Sequence, residues 1–256
     1  METSASQAMD SGLRTSSRPV RGGSLMNRSS TGRVLIVCTA NAIRSPFVEH
    51  LLRARLAAEG YSGVRVESAG TAVRPGRPAE AQLVQLARGY GLDLESHRTR
   101  RLDESMLDPG MTVLCAANVH RRTVLDMRPE LLDTTFTVRE FARLLANGAE
   151  TSGGWSELVG SASRRRTRGR RGPVEDDDLV DPIRQPSSVW SEFERDAVGA
   201  VEAVVSATQR IIRKDDAGRG PLIDAAPKTR REMRALRTGK TDDSRGDAMR
   251  AGPDRG

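Results

Sequence analysis

Val34-Leu-Ile-Val-Cys38-Thr-Ala-Asn-Ala-Ile-Arg44-Ser-Pro46 is the stretch on which the fold of this chain turns. A β-branched run ends at Cys38, five residues separate it from Arg44, and Ser45-Pro46 start a helix at once, proline being suited to the first helical turn. A buried strand of this kind delivers Cys38 to the carboxyl edge of a sheet, where open α/β folds bind ligands. Backbone N–H groups of the loop then converge on an anion, and the helix after it aims the positive end of its dipole at the same place. That field also favours the thiolate, the nucleophilic form of cysteine. The stretch reads as a phosphate cradle with a sulfur at its base.

Outward from the cradle, strand and helix signals alternate. The continuous apolar run at 34–37 predicts a strand buried on both faces. Residues 45–59 form a helix with Phe47, Val48, Leu51, Leu52 and Leu56 on one face and Gly60 at its C-terminal cap. Val64, Val66 and Ser68-Ala-Gly-Thr71 give a second strand entering a turn. Further along come a helix over 77–90, a strand over 111–115, a helix over 118–127, a short strand over 135–137 and helices over 138–145 and 187–212. This alternation predicts an α/β three-layer sandwich, with a central, mostly parallel four-stranded sheet flanked by helices on both faces.

Composition divides the chain. Residues 1–32 and 213–256 are polar, charged and nearly free of aromatic side chains, so they are expected to be a disordered head and tail. A third polar stretch, 151–175, contains Arg164-Arg-Arg-Thr-Arg168 and reads as an Arg-rich inserted loop. A single domain over 33–212 remains. The net charge of +7 resides in the flanks and the insert, leaving the core slightly acidic. That argues against nucleic acid as a partner of the folded part, with the Arg-rich insert as the one hint of it. Two cysteines, no apolar leader and no run long enough to cross a bilayer point to a reduced, cytoplasmic setting.

Spacing alone does not choose the nucleophile, because Cys115-Ala-Ala-Asn-Val-His-Arg121 repeats the Cys-x5-Arg pattern after another apolar strand. The residues just after each arginine separate the two. Ser45 offers a hydroxyl to a thiolate and Pro46 a helix start, whereas Arg122-Thr123 offer neither. Cys38 is read as the nucleophile and Cys115 as a small buried hydrophobe.

Taken together, Cys38-Thr-x-Asn-x-x-Arg-Ser-Pro46, Ser68-Ala-Gly-Thr71, the His97 segment and Asp181-Pro182 resemble the low-molecular-weight protein tyrosine phosphatases, in the right order over 33–212. The resemblance implies a hydrolase that needs no metal or other cofactor and works through a cysteinyl-phosphate. Cys38 would attack phosphorus. The loop of Thr39, Ala40, Asn41, Ala42, Ile43, Arg44 and Ser45 would hold the phosphoryl oxygens, two of them on the Arg44 guanidinium. Asp181 would act as general acid and then general base. Asn41, Ser45, Ser68 and His97 would brace the loop, Asn41 in a left-handed conformation that asparagine tolerates. The implied partner is a phosphotyrosine protein or small aryl phosphate, met by a monomer or weak dimer.

The chain departs from the family pattern at two loop positions. Ala40 replaces a customary glycine, which adds strain if that position takes positive φ. Ile43 stands where many members carry a second cysteine, leaving Cys38 without a neighbouring thiol to trap its oxidised form. The entrance lacks the family's aromatic residues, presenting Ala72-Val73-Arg74 and Ile183-Arg184 instead, and Trp190 reads as a core anchor. Two alternatives share the scaffold: a thiol-dependent arsenate reductase, for which an internal three-cysteine relay is excluded because Arg122 stands where the third cysteine belongs, and a non-catalytic phosphoprotein-binding module.

Overall fold

A computed structural model of the chain describes residues 32–61, 63–146, 154–169 and 177–218, with side chains to residue 209. The chain divides into two units, Met1–Asp215 and Asp216–Gly256, and the sheet and its site belong to the first. The head at 1–31, the tail beyond 218 and the insert residues at 151–153 and 170–175 lie outside the described residues.

Four strands, β1 (Gly32–Cys38), β2 (Val64–Gly70), β3 (Thr112–Cys115) and β4 (Thr135–Thr137), form one sheet in the order β2-β1-β3-β4, every pair parallel. The β1–β2 register sets Cys38 beside Gly70, and the β1–β3 register sets Val37 beside Cys115. Strand order reverses between β1 and its two neighbours, so the carboxyl end of β1 is the crevice where this class of sheet receives a ligand.

Helices alternate with the strands: α1 (Arg44–Ala58), α2 (Ala81–Arg88), α3 (Asn118–Met127), α4 (Val138–Ala146), α5 (Trp155–Arg168) and α6 (Ser187–Gly218). Alternation along β1 sends Val34 and Ile36 to one side, where they join Phe47, Leu51, Phe141, Trp155 and Phe193 in the larger core. Leu35 and Val37 face the other side and pack with Val113, Cys115 and Val124. The sheet is thus buried on both faces, the reason its strands read as unbroken apolar runs.

Three boundaries differ from the sequence reading. The second helix is confined to Ala81–Arg88, because Gly76 and Arg77 donate their N–H groups to Thr99 and Glu80 donates its own to the Ala42 carbonyl at 3.1 Å. The last helix continues past 212 to Gly218, into what composition assigned to the tail. The Arg-rich insert is not a loop over 155–168 but helix α5. Trp155, Leu158, Val159 and Ala162 recur at helical spacing and are buried in the larger core, and Trp155 Nε1–H donates to Thr112 Oγ1 at 2.9 Å. The arginines at its end also serve the fold. Arg166 lies over the Phe136 ring, 4.4 Å from its centroid, and donates to the Thr135 carbonyl at 2.8 Å, and Arg165 donates to the Leu144 carbonyl. No described helix is long and apolar enough to cross a membrane.

Candidate functional site

The loop between β1 and α1 is held from below by hydrogen bonds that converge on Asn41. This residue is fully buried and takes φ of +52°, a conformation open to asparagine at little cost. Its Nδ2 donates to Ser45 Oγ at 2.9 Å and Ser68 Oγ at 2.8 Å. Its Oδ1 accepts from the Arg100 N–H, and its carbonyl meets His97 Nε2 at 2.8 Å. Since a carbonyl only accepts, His97 carries its proton on Nε2. Ser68 donates its own proton to Glu49 Oε2 at 2.6 Å, and Glu49 is in turn paired with Arg53. The turn that asparagine permits falls at residue 41, so Ala40 carries none of the strain considered for it; Asn41 and Arg184 are the non-glycine residues with positive φ among the described residues.

Against this support sits Cys38, buried, with Ser45 Oγ 3.0 Å from its sulfur and the Asn41 N–H donating at 3.3 Å. The Asn41 amide donates to Ser45 Oγ, whose own proton has two acceptors in reach, the sulfur at 3.0 Å and the Ala69 carbonyl at 3.4 Å. Both contacts to the sulfur stabilise a thiolate. The β2 terminus closes the loop from the side: Thr71 donates to the Cys38 carbonyl and Ala72 to that of Thr39, both at 2.9 Å. This approach requires Gly70, since a Cβ there would stand 2.6 Å from the Thr39 carbonyl oxygen and 2.9 Å from the Asn41 nitrogen.

Arg44 begins α1, and no side chain caps that helix: the N-cap residue is Ile43, and the first turn holds no acid. A buried arginine at the positive end of a helix dipole is unfavourable unless an anion meets it. Here that anion is Asp181, whose Oδ2 pairs with Arg44 Nη2. The guanidinium also donates to Thr39 Oγ1 at 3.2 Å and to the Leu179 carbonyl at 3.4 Å. Cys38, Arg44, Asp181, Asn41, Ser45, Ser68 and His97 therefore meet at one site. Thr39 and Ala40 are exposed at its mouth, Ala42 is half-buried, and Ile43 points into the core.

Sequence reading missed what places Asp181. The repeat of the cysteine pattern is a structural counterpart of the cradle: the N-terminus of α3 takes the Asp178 carboxylate, with the Asn118 N–H and Nδ2 donating to it at 2.7 and 2.9 Å. The Leu179 N–H then donates to the Ala116 carbonyl at 2.7 Å, and two residues later Asp181 arrives over Arg44. Two neighbouring acids are thereby accounted for, Asp177 pairing with Arg143 and Asp178 anchoring the segment, while Asp176 lies outside the described residues. Cys115 itself is fully enclosed, and burial pushes its thiol up. Its side chain joins Val37 on the face of the sheet opposite to that of Cys38. Its matching Arg121 donates to the Thr135 carbonyl.

A further residue carries no signal in the sequence. Buried His120 sits with Nε2 2.9 Å from Thr39 Oγ1. Arg44 donates to the same hydroxyl at 3.2 Å, and His120 Nδ1 has no hydrogen-bond partner among the described residues. Burial first, and then the nearby Arg44 charge, lower its pKa to about 4. The ring is therefore neutral and holds Thr39 beside the guanidinium.

A parallel α/β sheet carrying a cysteine and an arginine with five residues between them, at a helix N-terminus, defines a phosphate-loop protein of the thiol-dependent class. The profile of the low molecular weight phosphotyrosine protein phosphatase family matches residues 33–149, and the chain belongs to that family. Over 102 residues it is 36% identical to the low molecular weight protein-tyrosine-phosphatase Etp of Escherichia coli, an alignment spanning 40% of this chain and 66% of Etp. Over 109 residues it is 31% identical to the protein-arginine-phosphatase of Geobacillus stearothermophilus, spanning 43% of this chain and 70% of the relative. The crystal structure of a low molecular weight protein tyrosine phosphatase from T. tengcongensis superposes with a TM-score of 0.52 at 28% identity, covering 69% of this chain and 99% of that one. The profile ends at residue 149, just ahead of α5, so the segment carrying Asp181 lies beyond it.

Proposed function

We propose that the chain hydrolyses phosphotyrosine-type aryl phosphate monoesters through a cysteinyl-phosphate on Cys38. The observation that carries this reading is the Cys38 sulfur, met by a hydroxyl and a backbone N–H at the base of a loop closed by Arg44. An incoming phosphoryl group takes two guanidinium hydrogen bonds from Arg44 and so releases Asp181 from its ion pair. The Cys38 thiolate attacks phosphorus in line, the bond to the leaving oxygen breaks, and protonated Asp181 gives that oxygen its proton. Water, losing a proton to the Asp181 carboxylate, then attacks phosphorus, breaks the S–P bond and restores the thiolate. Asn41, Ser45, Ser68 and His97 hold the loop in place throughout.

One observation favours a second substrate class. The residues at the mouth, Thr39, Ala40, Ala72, Ile183 and Arg184, are exposed and include no aromatic ring, and one relative is named a protein-arginine-phosphatase. The same steps cleave a P–N bond, Asp181 protonating the departing guanidine nitrogen. Turnover of an aryl phosphate and of a phosphoarginine peptide, each by the parent and by Asp181→Ala, tests both. For aryl phosphates the variant loses about 10²- to 10⁴-fold in kcat, more as the leaving phenol becomes less acidic. An equal loss for all leaving groups removes the proton-donor role, and faster turnover of the phosphoarginine peptide selects the second class.

A further inference from the structure

Beneath the phosphate loop, Glu49 and His50 of α1 and His97 bring one carboxylate oxygen and two imidazole nitrogens to within 4.8 Å of one another. We propose that this cluster is a divalent-metal site of zinc type, coupled to the loop above it. A His2Glu set leaving one position for water is a zinc donor set, with bonds of about 2.0–2.2 Å that place ligand atoms roughly 3.3 Å apart in a tetrahedron. Rotation of side chains that are only part-buried, His50 and His97, brings the three atoms to that separation.

Three features of the cluster suit a metal. His97 donates Nε2–H to the Asn41 carbonyl, which turns the lone pair of Nδ1 outward; zinc-bound histidines are oriented by such a bond from the other ring nitrogen. Glu49 is already a hydrogen-bonded carboxylate, accepting from Ser68, as metal-bound carboxylates are. His50 is half-buried, its ring centroid 6.3 Å from that of His97. Glu49 and His97 also line a hollow of about 580 Å³ that gives the ion and its water a way in. The Arg53 guanidinium, paired with Glu49 at 2.8 Å, is half exposed and swings into solvent as the metal takes its place.

Asn41 belongs to the loop, and Ser68, on β2, is hydrogen-bonded to it. Ser68 and the Asn41 carbonyl are one bond from the groups that meet the Cys38 sulfur, so drawing Glu49 and His97 together displaces the support of the thiolate. The metal is thus an inhibitor acting from behind the loop, a consequence that rests on the phosphatase reading, whereas metal binding itself does not.

The test is Zn²⁺ titration of the full chain by calorimetry, with Co²⁺ as a spectroscopic probe, in Cys38→Ser and in Cys38→Ser combined with His50→Ala. The first variant removes the competing sulfur of the phosphate loop. Of three histidines in the chain, the third, His120, is enclosed. One equivalent binds to Cys38→Ser, Co²⁺ shows visible ligand-field bands without a sulfur charge-transfer band, and His50→Ala weakens binding about tenfold or more. Loss of binding in Cys38→Ser, or unchanged affinity on adding His50→Ala, overturns the site. In the otherwise native chain, Zn²⁺ inhibition of aryl phosphate turnover shifts to higher concentration on His50→Ala. An unshifted curve with binding intact overturns the coupling alone, and absence of any turnover speaks against the phosphatase reading and leaves the binding result standing.

Discussion

Asn41 shows how one residue can serve conformation and chemistry together. Its positive φ turns the loop back under the sulfur, its N–H meets that sulfur, and its side chain ties Ser45 to Ser68. His120 does similar work from the opposite side through Thr39, and it carries a pH signature. Its folded-state pKa of about 4 lies below the ordinary value near 6.5. As pH falls from about 6.5 toward 4 the unfolded chain gains a proton that the folded chain refuses, so stability declines across that window and this contribution is constant above it. Denaturant titrations at pH 7 and pH 5 are expected to show a smaller loss of stability for His120→Gln than for the parent, and an equal loss in the two would contradict a neutral, buried imidazole. Residues of this kind are hard to read in sequence. Cys38, Arg44, Asn41 and Ser45 lie within eight positions and their pattern is legible, whereas His120 lies inside the repeat of that pattern, where only the packing of β3 against β1 brings it beneath Thr39.

At the scale of elements, the parallel register of β1 with β2 supplies half of the site. Because Cys38 is beside Gly70, the chain leaving β2 donates to the carbonyls of Cys38 and Thr39. Gly70→Ala puts a methyl group against the loop carbonyl and the Val73 side chain. An overpacked site of this kind costs about 1–3 kcal/mol, and thermal unfolding together with aryl phosphate turnover is expected to show both lowered; an unchanged melting temperature with full activity would contradict the close approach. Strand identity was legible because both faces of the sheet are covered and the apolar runs are unbroken. Helix α2 was less so, since the tertiary bonds of Gly76, Arg77 and Glu80 take up backbone groups that a longer helix would have used.

Over the whole molecule, the surprise is α5. Its arginines dominate the composition and suggest a loop, yet Trp155, Leu158, Val159 and Ala162 carry a helical stripe upstream of them. Composition averaged over a window concealed a period within it. The helix lies in sequence between α4 and the segment bearing Asp181, and it completes the larger core rather than interrupting the domain. Trp155→Ala is therefore expected to destabilise the chain by about 3–5 kcal/mol, measured by denaturant unfolding; a change below about 1 kcal/mol would mean that α5 is dispensable to the core.

Whether Cys38 or its counterpart Cys115 takes the phosphoryl group is the question on which the rest depends. Acid quenching during turnover of an aryl phosphate, followed by mass spectrometry of the cysteine peptides, decides it. A phosphoryl group is expected on the Cys38 peptide, to be lost in Cys38→Ser along with roughly 10⁴-fold or more of the turnover and retained in Cys115→Ser. A phosphoryl group on the Cys115 peptide, or turnover that survives Cys38→Ser, would contradict Cys38 as the nucleophile.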